Sequence, residues 1–409
     1  MRVLLSTYGS RGDVEPMAAL AVRLQALGAA ARVCAPPDQE FADLLARAGV
    51  PLAPAFLPIR QWIASARQSP MDLPRLAARM VAAQYDAIGA AAAGCDAIVA
   101  TGLVPSAAAA QCVAEIRGIP YVHATFCPLF LPSHHHRPYP YPGHPLPAEV
   151  TDNRALWDLN IQAMNALFGE AINSHRAAIG LPAVANIRDH VFTDRPLLAS
   201  DPVLWPWRAT DLCNAVQTGA WILPDPRPLP AELEAFLDAG APPVYVGFGS
   251  MALQAADDAA RVAIQALRAE GRRTLLLRGW ADLAPIDDGD DCFVVGDVNQ
   301  QALFPRMAAV LHHGGAGTTM AATRAGIPQV VVPQIVDQPF WAGRVAELGI
   351  GAAHDGPTPS FESLSAALRT ALAPETRARA AQVADMIRTD GATVAAKLLL
   401  DLAGLKAPS

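Results

Sequence analysis

A strand that runs into a glycine-rich turn and then opens a helix is a place where an anion can be held, and His312-His313-Gly314-Gly315-Ala316-Gly317-Thr318-Thr319 has that form. Glycines leave room for a ligand to approach the backbone. The unpaired N–H groups of a first helical turn, with the helix dipole behind them, favour negative charge. His313 adds a ring N–H, and Thr318 and Thr319 add hydroxyl donors, so the expected ligand is a diphosphate. The spacing is not G-x-x-x-x-G-K-[ST], so the stretch gives no support to nucleotide hydrolysis through a lysine.

Two further stretches put polar groups at the same kind of position. Gly9-Ser10-Arg11-Gly12-Asp13 follows the first apolar run and sets a carboxylate at a helix start. Asp13 has two readings here. It can be a general base, in which case it must gain basicity from a drier setting, because a helix N-terminus favours its anion. It can equally be an ordinary carboxylate that satisfies backbone donors at the helix end. These glycines lack the G-x-G-x-x-G spacing of a dinucleotide site. Asp337-Gln338-Pro339 opens a later helix, where a carboxylate beside an amide can accept from and donate to the vicinal hydroxyls of a sugar. The plainer use of Asp337 is as an N-cap, with Pro339 in the first turn.

Other polar clusters point to less. In His134-His135-His136 consecutive side chains project in different directions with no carboxylate nearby in sequence, and Asp287-Asp288-Gly289-Asp290-Asp291 reads as a solvated acidic turn, so no metal is expected at either. No G-x-S-x-G elbow offers a serine nucleophile.

The elements that must position these groups alternate in a β-α rhythm. Val3-Leu4-Leu5, a helix from Glu15 with Pro16 in its first turn and its end at Gly28, Arg32-Val33-Cys34, Ala97 to Ala100, a helix from Ser106 to Arg117, and Tyr121 to Ala124 describe one parallel, doubly wound sheet. From Phe126 to Gly143 no period survives, and the Pro-, His- and Tyr-rich run reads as a long loop. A Pro-rich stretch within residues 216–240 reads as a linker. The rhythm then restarts with Val244 to Phe248, Leu275 to Leu277, Phe293 to Val295, Val310-Leu311 and Val330 to Val332, and three helical segments close the chain. The expected organisation is therefore a first domain over residues 1–215, the linker, a second domain over 241–385 and a final helical segment over 386–409. Two doubly wound α/β domains bind ligands outside the carboxyl ends of their strands, and two of them facing each other would leave a cleft there.

The bulk of the chain narrows the field. Its 409 residues suit two α/β domains, and a net charge of −7 without a Lys/Arg run leaves no footprint for nucleic acid or an anionic membrane. The apolar stretch from Ala87 to Val104 is largely Ala and Gly and is interrupted by Asp96, so no integral membrane association is expected. Val3-Leu4-Leu5 is too short for a signal-peptide core. Six cysteines without C-x-x-C spacing read as buried free thiols, and the expected location is the cytoplasm.

Together these stretches resemble the actinobacterial antibiotic glycosyltransferases, above all those that decorate vancomycin-type glycopeptide aglycones. The resemblance runs from Met1 to Leu5 and Gly9 to Asp13 through Asn173-Ser174-His175-Arg176, Gln217 to Pro224, Gly247-Phe248-Gly249-Ser250 and Arg278-Gly279-Trp280-Ala281-Asp282-Leu283. It continues in His312 to Thr319, Asp337-Gln338-Pro339 and Ala353-His354-Asp355-Gly356. It implies the α/β GT-B fold, two facing Rossmann-like domains with a deep interdomain cleft, the acceptor held mainly by the first and the nucleotide-sugar mainly by the second. It implies Asp13 as the catalytic base. Ser10, Arg11, Ser250, Trp280, His313, Gly315, Gly317 and Thr318 would meet the donor, Val298 would lie where the base packs, and Asp337 and Gln338 would meet the hexose. The loop from Phe126 to Gly143 would line the acceptor site, with Phe126, His134 and Tyr141 as contacts.

The implied reaction is a single displacement with inversion, moving a hexose, glucose rather than an aminodeoxy sugar, from a dTDP- or UDP-sugar to a hydroxyl of a glycopeptide aglycone without metal or cofactor. The related plant enzymes use a His-Asp pair, whereas here no His lies close to Asp13 in sequence, so an Asp acting alone is implied. The alternatives are the same chemistry on a macrolide, sterol or glycolipid, a nucleotide-sugar epimerase, and an auxiliary protein that keeps only the fold.

Overall fold

The computed structural model describes residues 1–68, 72–251 and 256–404. Among these residues the strands are β1 (Arg2–Tyr8), β2 (Ala30–Ala35), β3 (Leu52–Pro54), β4 (Ala97–Gly102), β5 (Tyr121–Thr125), β6 (Leu197–Leu198) and β7 (Val216–Gln217), followed by β8 (Val244–Gly247), β9 (Thr274–Leu277), β10 (Cys292–Val295), β11 (Ala309–His312), β12 (Gln329–Val331) and β13 (Gly351–Ala353). The first seven form one sheet in the order β3-β2-β1-β4-β5-β6-β7. The other six form a second in the order β10-β9-β8-β11-β12-β13, and every pairing in both is parallel. In each sheet the chain moves outward from a central strand to one side, then returns beside that strand and moves outward to the other. The reversal lies between β1 and β4 in the first sheet and between β8 and β11 in the second.

The chain divides into two compact units. One contains Met1–Asp201, Trp207–Leu223 and the residues from Arg388 on, and the other contains Pro202–Pro206 and Pro224–Ile387. The C-terminal helix Gly391–Gly404 lies on the helix Arg11–Ala26, within the first unit. Residues 216–240 are more than a linker: Val216–Gln217 is the edge strand of the first sheet, and Ala231–Asp238 is a helix whose Leu233 and Leu237 are in the core of the second unit.

Burial on both faces is why these strands read as continuous apolar runs. In the second sheet Val244, Val246, Leu276 and Leu311 pack on one face against Ala263, Leu267, Leu364 and Leu368. Tyr245, Leu275, Leu277 and Val310 pack on the other against Leu233, Phe304 and Ile327. The pleat sends neighbours to opposite faces, and each fully buried Val or Leu contributes about 1.5–3 kcal/mol.

Two differences from the sequence reading have simple causes. The first helix begins at Arg11, not Glu15, because Ser10 and Asp13 cap it there, so Pro16 lies inside the helix rather than in its first turn. Helices at Asn153–Met164, Glu170–Ala178 and Ile187–Phe192 stand between the Phe126 to Gly143 loop and residue 216, where the sequence reading placed no element. Their inward faces carry Asn160, Arg176 and Arg188, which are 5%, 2% and 4% exposed, so the apolar stripe is broken by buried polar groups.

Each unit also buries a histidine in a strand next to the reversal or beyond it. His123 on β5 stacks on Phe192 with ring centroids 4.7 Å apart, and His312 ends β11; burial pushes both imidazoles from 6.5 down to about 3. The folded chain refuses protons that the unfolded chain accepts, so stability is full above pH 6.5 and falls as the pH drops toward 3. At pH 5 each histidine should cost about 2 kcal/mol relative to neutral pH. Urea midpoints at pH 7.5 and pH 5 check this, and His123→Leu should reduce the difference by the share of that one ring, leaving that of His312.

Candidate active site

The reversal in the second sheet brings the turns after β8, β9 and β11 together. His312 is buried and neutral. Its Nδ1 accepts the Gly314 N–H at 3.1 Å, so its proton sits on Nε2 and is donated to Gln329 Oε1 at 2.9 Å. The Gln329 amide then donates to Thr323 Oγ1 at 2.9 Å, and that hydroxyl to the Thr319 carbonyl at 2.7 Å. Gly314 has φ +92°, and a Cβ there would fall 2.7 Å from Val331 Cγ1, so the turn can be made only by glycine.

The next residues form the cradle. Gly315 caps the helix Ala316–Arg324, and a Cβ on it would sit 2.6 Å from His313 Nε2, so its lack of a side chain is what lets the imidazole lie against the helix start. Burial holds the His313 imidazole down at about 4, neutral at physiological pH, and among the described residues its buried Nδ1 has no hydrogen-bond partner. Gly249 faces the same ring, and its carbonyl accepts the Trp280 N–H at 2.9 Å. Ser250, half-buried, follows it. Gly317 is exposed with open space around it and Thr318 is half-buried beside it, whereas the Thr319 hydroxyl is turned back onto the Gly315 carbonyl at 2.9 Å. Of the two threonines, then, Thr319 braces the turn.

At the start of the helix Gln338–Glu347 the two polar residues have different tasks. The Gln338 amide oxygen accepts the N–H groups of Gln334 and Ile335 at 2.8 and 3.0 Å, and its nitrogen approaches Met251 Sδ at 3.6 Å. Its acceptor side is therefore used by the loop, leaving N–H as what it can offer a ligand. Asp337 Oδ2 accepts the Trp341 indole N–H at 2.9 Å. Burial pushes this carboxyl above the usual range, and the indole draws it back down. Val298 is 7% exposed and its side chain belongs to the core with Leu277 and Phe304, so only its backbone could meet a nucleotide base.

In the first unit Asp13 lies half-buried at the start of the helix after β1, beside the reversal between β1 and β4. Its Oδ2 accepts the Ser10 N–H at 2.8 Å, and a Cβ on Gly9 would fall 2.1 Å from that oxygen. The capping use of Asp13 is thus present. Arg11 pairs with Glu15 at 2.7 Å. The three expected acceptor contacts have different neighbours: Phe126 meets the Trp221 ring edge at 5.8 Å, and Tyr141 lies between Tyr139 and Phe168 at 6.0 Å from each. His134 binds Asp211 at 2.5 Å on the surface. The loop they belong to is pinned by Trp157, whose indole donates to the carbonyls of Ser133 and His136.

The remaining clusters are accounted for by protein partners. Arg268 grips both Asp287 and Asp291 at 2.7 Å, and among the described residues no group of three or more His, Cys, Asp or Glu stands ready for a metal ion. The sequence reading missed His312 as a support of the turn. The signal was available in the doublet itself, since neighbouring residues at a strand end must face opposite ways and only one of the two can face a ligand.

Residues 3–134 match the model of the glycosyltransferase family 28 N-terminal domain, and residues 282–399 that of the erythromycin biosynthesis protein CIII-like C-terminal domain. Three proteins of Amycolatopsis orientalis align with 100% of the chain and 99% of their own length: glycosyltransferase GtfE at 59% identity, a vancomycin aglycone glucosyltransferase at 56% and a dTDP-epi-vancosaminyltransferase at 53%. The chain belongs to the vancomycin-group antibiotic glycosyltransferases. Among solved structures, the glycosyltransferase of kitacinnamycin superposes with a TM-score of 0.73 at 21% identity, covering 98% of both chains. The calicheamicin glycosyltransferase CalG4 does so at 0.66 and 18%, covering 100% of this chain and 99% of its own. The fold is that of the GT-B glycosyltransferases.

In this glycosyltransferase the cradle at His313 to Thr318 supplies backbone donors, a neutral imidazole and a hydroxyl, which together can hold an anion. Gly315→Ala tests it. The added methyl would displace the His313 ring, so binding of a free nucleoside diphosphate, read by calorimetry, should weaken about tenfold, the effect of one charge-assisted hydrogen bond, with little change in the thermal midpoint.

Proposed function

We propose that the chain is an inverting hexosyltransferase that moves glucose from a dTDP- or UDP-sugar to a hydroxyl of a glycopeptide antibiotic aglycone. The observation that carries the reading is the full-length 56% identity to a vancomycin aglycone glucosyltransferase. The dTDP bound by the glycosyltransferase VinC, which shares the fold, is in keeping with a nucleoside diphosphate donor.

In this reading Asp13 takes the proton from the acceptor hydroxyl as its oxygen attacks the anomeric carbon. The bond from that carbon to the diphosphate oxygen breaks, and the nucleoside diphosphate leaves with the electron pair. Its developing charge meets the helix N-terminus at Ala316, the Thr318 hydroxyl and the neutral His313 ring. These donors do there what a divalent ion does elsewhere, so neither metal nor cofactor is required. Ser10, Arg11, Ser250, Trp280, Gly315 and Gly317 complete the donor contacts. Asp337 accepts from a sugar hydroxyl and the Gln338 amide donates to its neighbour, a pairing that favours glucose over an aminodeoxy sugar with fewer hydroxyls. Phe126, His134 and Tyr141 contact the acceptor. The place of action is the cytoplasm, in keeping with six cysteines that form no disulfide.

Asp13→Asn keeps an oxygen for the Ser10 N–H but cannot take a proton. It should lower kcat by about 10²–10⁴ with donor KM unchanged, and unchanged turnover would sink the assignment. Wild-type turnover should persist in excess chelator. A panel of glycopeptide, macrolide and sterol acceptors with dTDP- and UDP-sugars, read by mass spectrometry, should give product with the crosslinked peptide alone, and sugar release or isomerisation without acceptor would contradict the reading.

A further inference from the structure

The helix that begins at Asp337 carries an aromatic ladder that ends on that carboxylate. Trp341 is 1% exposed, sits one turn below Asp337 on the same helix face, and donates its indole N–H to Asp337 Oδ2 at 2.9 Å. An indole nitrogen is a donor only, so the contact suits the ionised carboxylate. Phe340 meets the Trp341 ring edge-on at 5.0 Å and the Trp205 ring at 4.8 Å. Trp205 belongs to Pro202–Pro206, the short excursion by which the chain enters the second unit before returning to the first. That strap is fastened to the same helix: Arg344 donates to the Leu204 carbonyl at 2.8 Å and its guanidinium lies 5.1 Å from the Trp205 ring centroid. On the other side of Asp337 the loop is strained, with the β-branched Val336 at φ +57°, and the Gln338 amide oxygen holds it.

We infer that Trp341 is a positioning residue for sugar transfer: its indole N–H, backed by Phe340 and the strap residue Trp205, anchors one oxygen of Asp337 so that the other is presented to a donor-sugar hydroxyl. The inference rests on the reading of Asp337 as a sugar contact. The anchoring matters because a carboxylate following a strained loop would otherwise rotate about its Cβ–Cγ bond, and a hydroxyl contact needs a fixed acceptor. The charged and titratable groups on this helix and on the elements packed against it are Arg344, which pairs with Glu347, Arg324 at the end of the helix Ala316–Arg324, and the imidazoles of His312 and His313 before that helix, neutral above about pH 4; the ionisation of Asp337 answers chiefly to burial and to the indole.

Trp341→Phe keeps the ring and deletes the donor. Steady-state kinetics of the full-length enzyme with dTDP-glucose or UDP-glucose, whichever the wild type consumes, should show KM for the donor raised about fivefold to tenfold. Inhibition by the matching free diphosphate, which has no sugar to bind, should be unchanged. Loss of the indole lets burial push the Asp337 carboxyl higher, so the acid limb of the kcat/KM profile should move to higher pH. Asp337→Asn, measured alongside, separates the two levels. An unchanged donor KM in Asp337→Asn overturns the sugar-contact reading and the positioning role with it. A raised KM in Asp337→Asn with an unmoved KM and acid limb in Trp341→Phe overturns the positioning role alone. So does a Trp341→Phe variant in which diphosphate inhibition weakens as much as the donor KM, since that is general damage to the helix.

Discussion

The Gly314 N–H is held by the Nδ1 of His312 at 3.1 Å, and that bond exists only while the imidazole is neutral and its other nitrogen is donating to Gln329. A buried ring with both nitrogens occupied cannot rotate, so the chain leaves β11 in one direction. Everything at the edge of the second sheet follows from that direction: Gly314 turns through a left-handed conformation, Gly315 passes beneath the His313 ring, and the helix begins with its N–H groups outward. The cost is a histidine that the fold must keep unprotonated, which ties the integrity of the anion cradle to acid stability.

The first sheet solves the same problem with a carboxylate. There the turn after β1 is closed by Asp13 accepting the Ser10 N–H, and Gly9 is bare because any side chain would enter that carboxylate. Parallel strands make both solutions land in comparable places, since every strand ends at one edge and every following helix presents its N-terminus there. The reversal of strand order then opens that edge between β1 and β4 in one unit and between β8 and β11 in the other.

Much of this was legible in the residues. Val3-Leu4-Leu5, Val244 to Phe248 and Val330 to Val332 read as strands because burial on both faces leaves no polar positions to confuse the pattern. The glycine turn from β11 into a helix at His312 to Thr319 was legible because glycine spacing and helix-end chemistry are local. What stayed hidden depended on partners far away in the chain. Arg176 is buried in helix Glu170–Ala178 because Glu115, sixty-one residues earlier, pairs with it at 2.7 Å, and β6 and β7 are two residues long, too short to carry a period. Val298, where the resemblance put the nucleotide base, gives its side chain to a core assembled from residues 233 to 327, which leaves its backbone for such a contact. Gln338 read as a partner of Asp337 at a sugar, and the sequence did not show that the strained loop before it occupies its oxygen, leaving its N–H groups.

Asp13 brings the structural and chemical uses of one residue into direct conflict. A carboxylate at a helix N-terminus that accepts a backbone N–H is stabilised as the anion, which makes it a poor proton acceptor in water. The conflict eases because a carboxylate has two oxygens: one can stay on the Ser10 N–H throughout, keeping the helix start intact, while proton transfer concerns the other. A hydroxyl donor arriving with a bulky acceptor also removes water from the carboxylate, and desolvation raises its basicity without moving it. In the proposed reaction the cap therefore need not be released. Holding one oxygen on the Ser10 N–H is what fixes the plane of the Asp13 carboxylate, the division of labour proposed for Trp341 and Asp337 in the second unit.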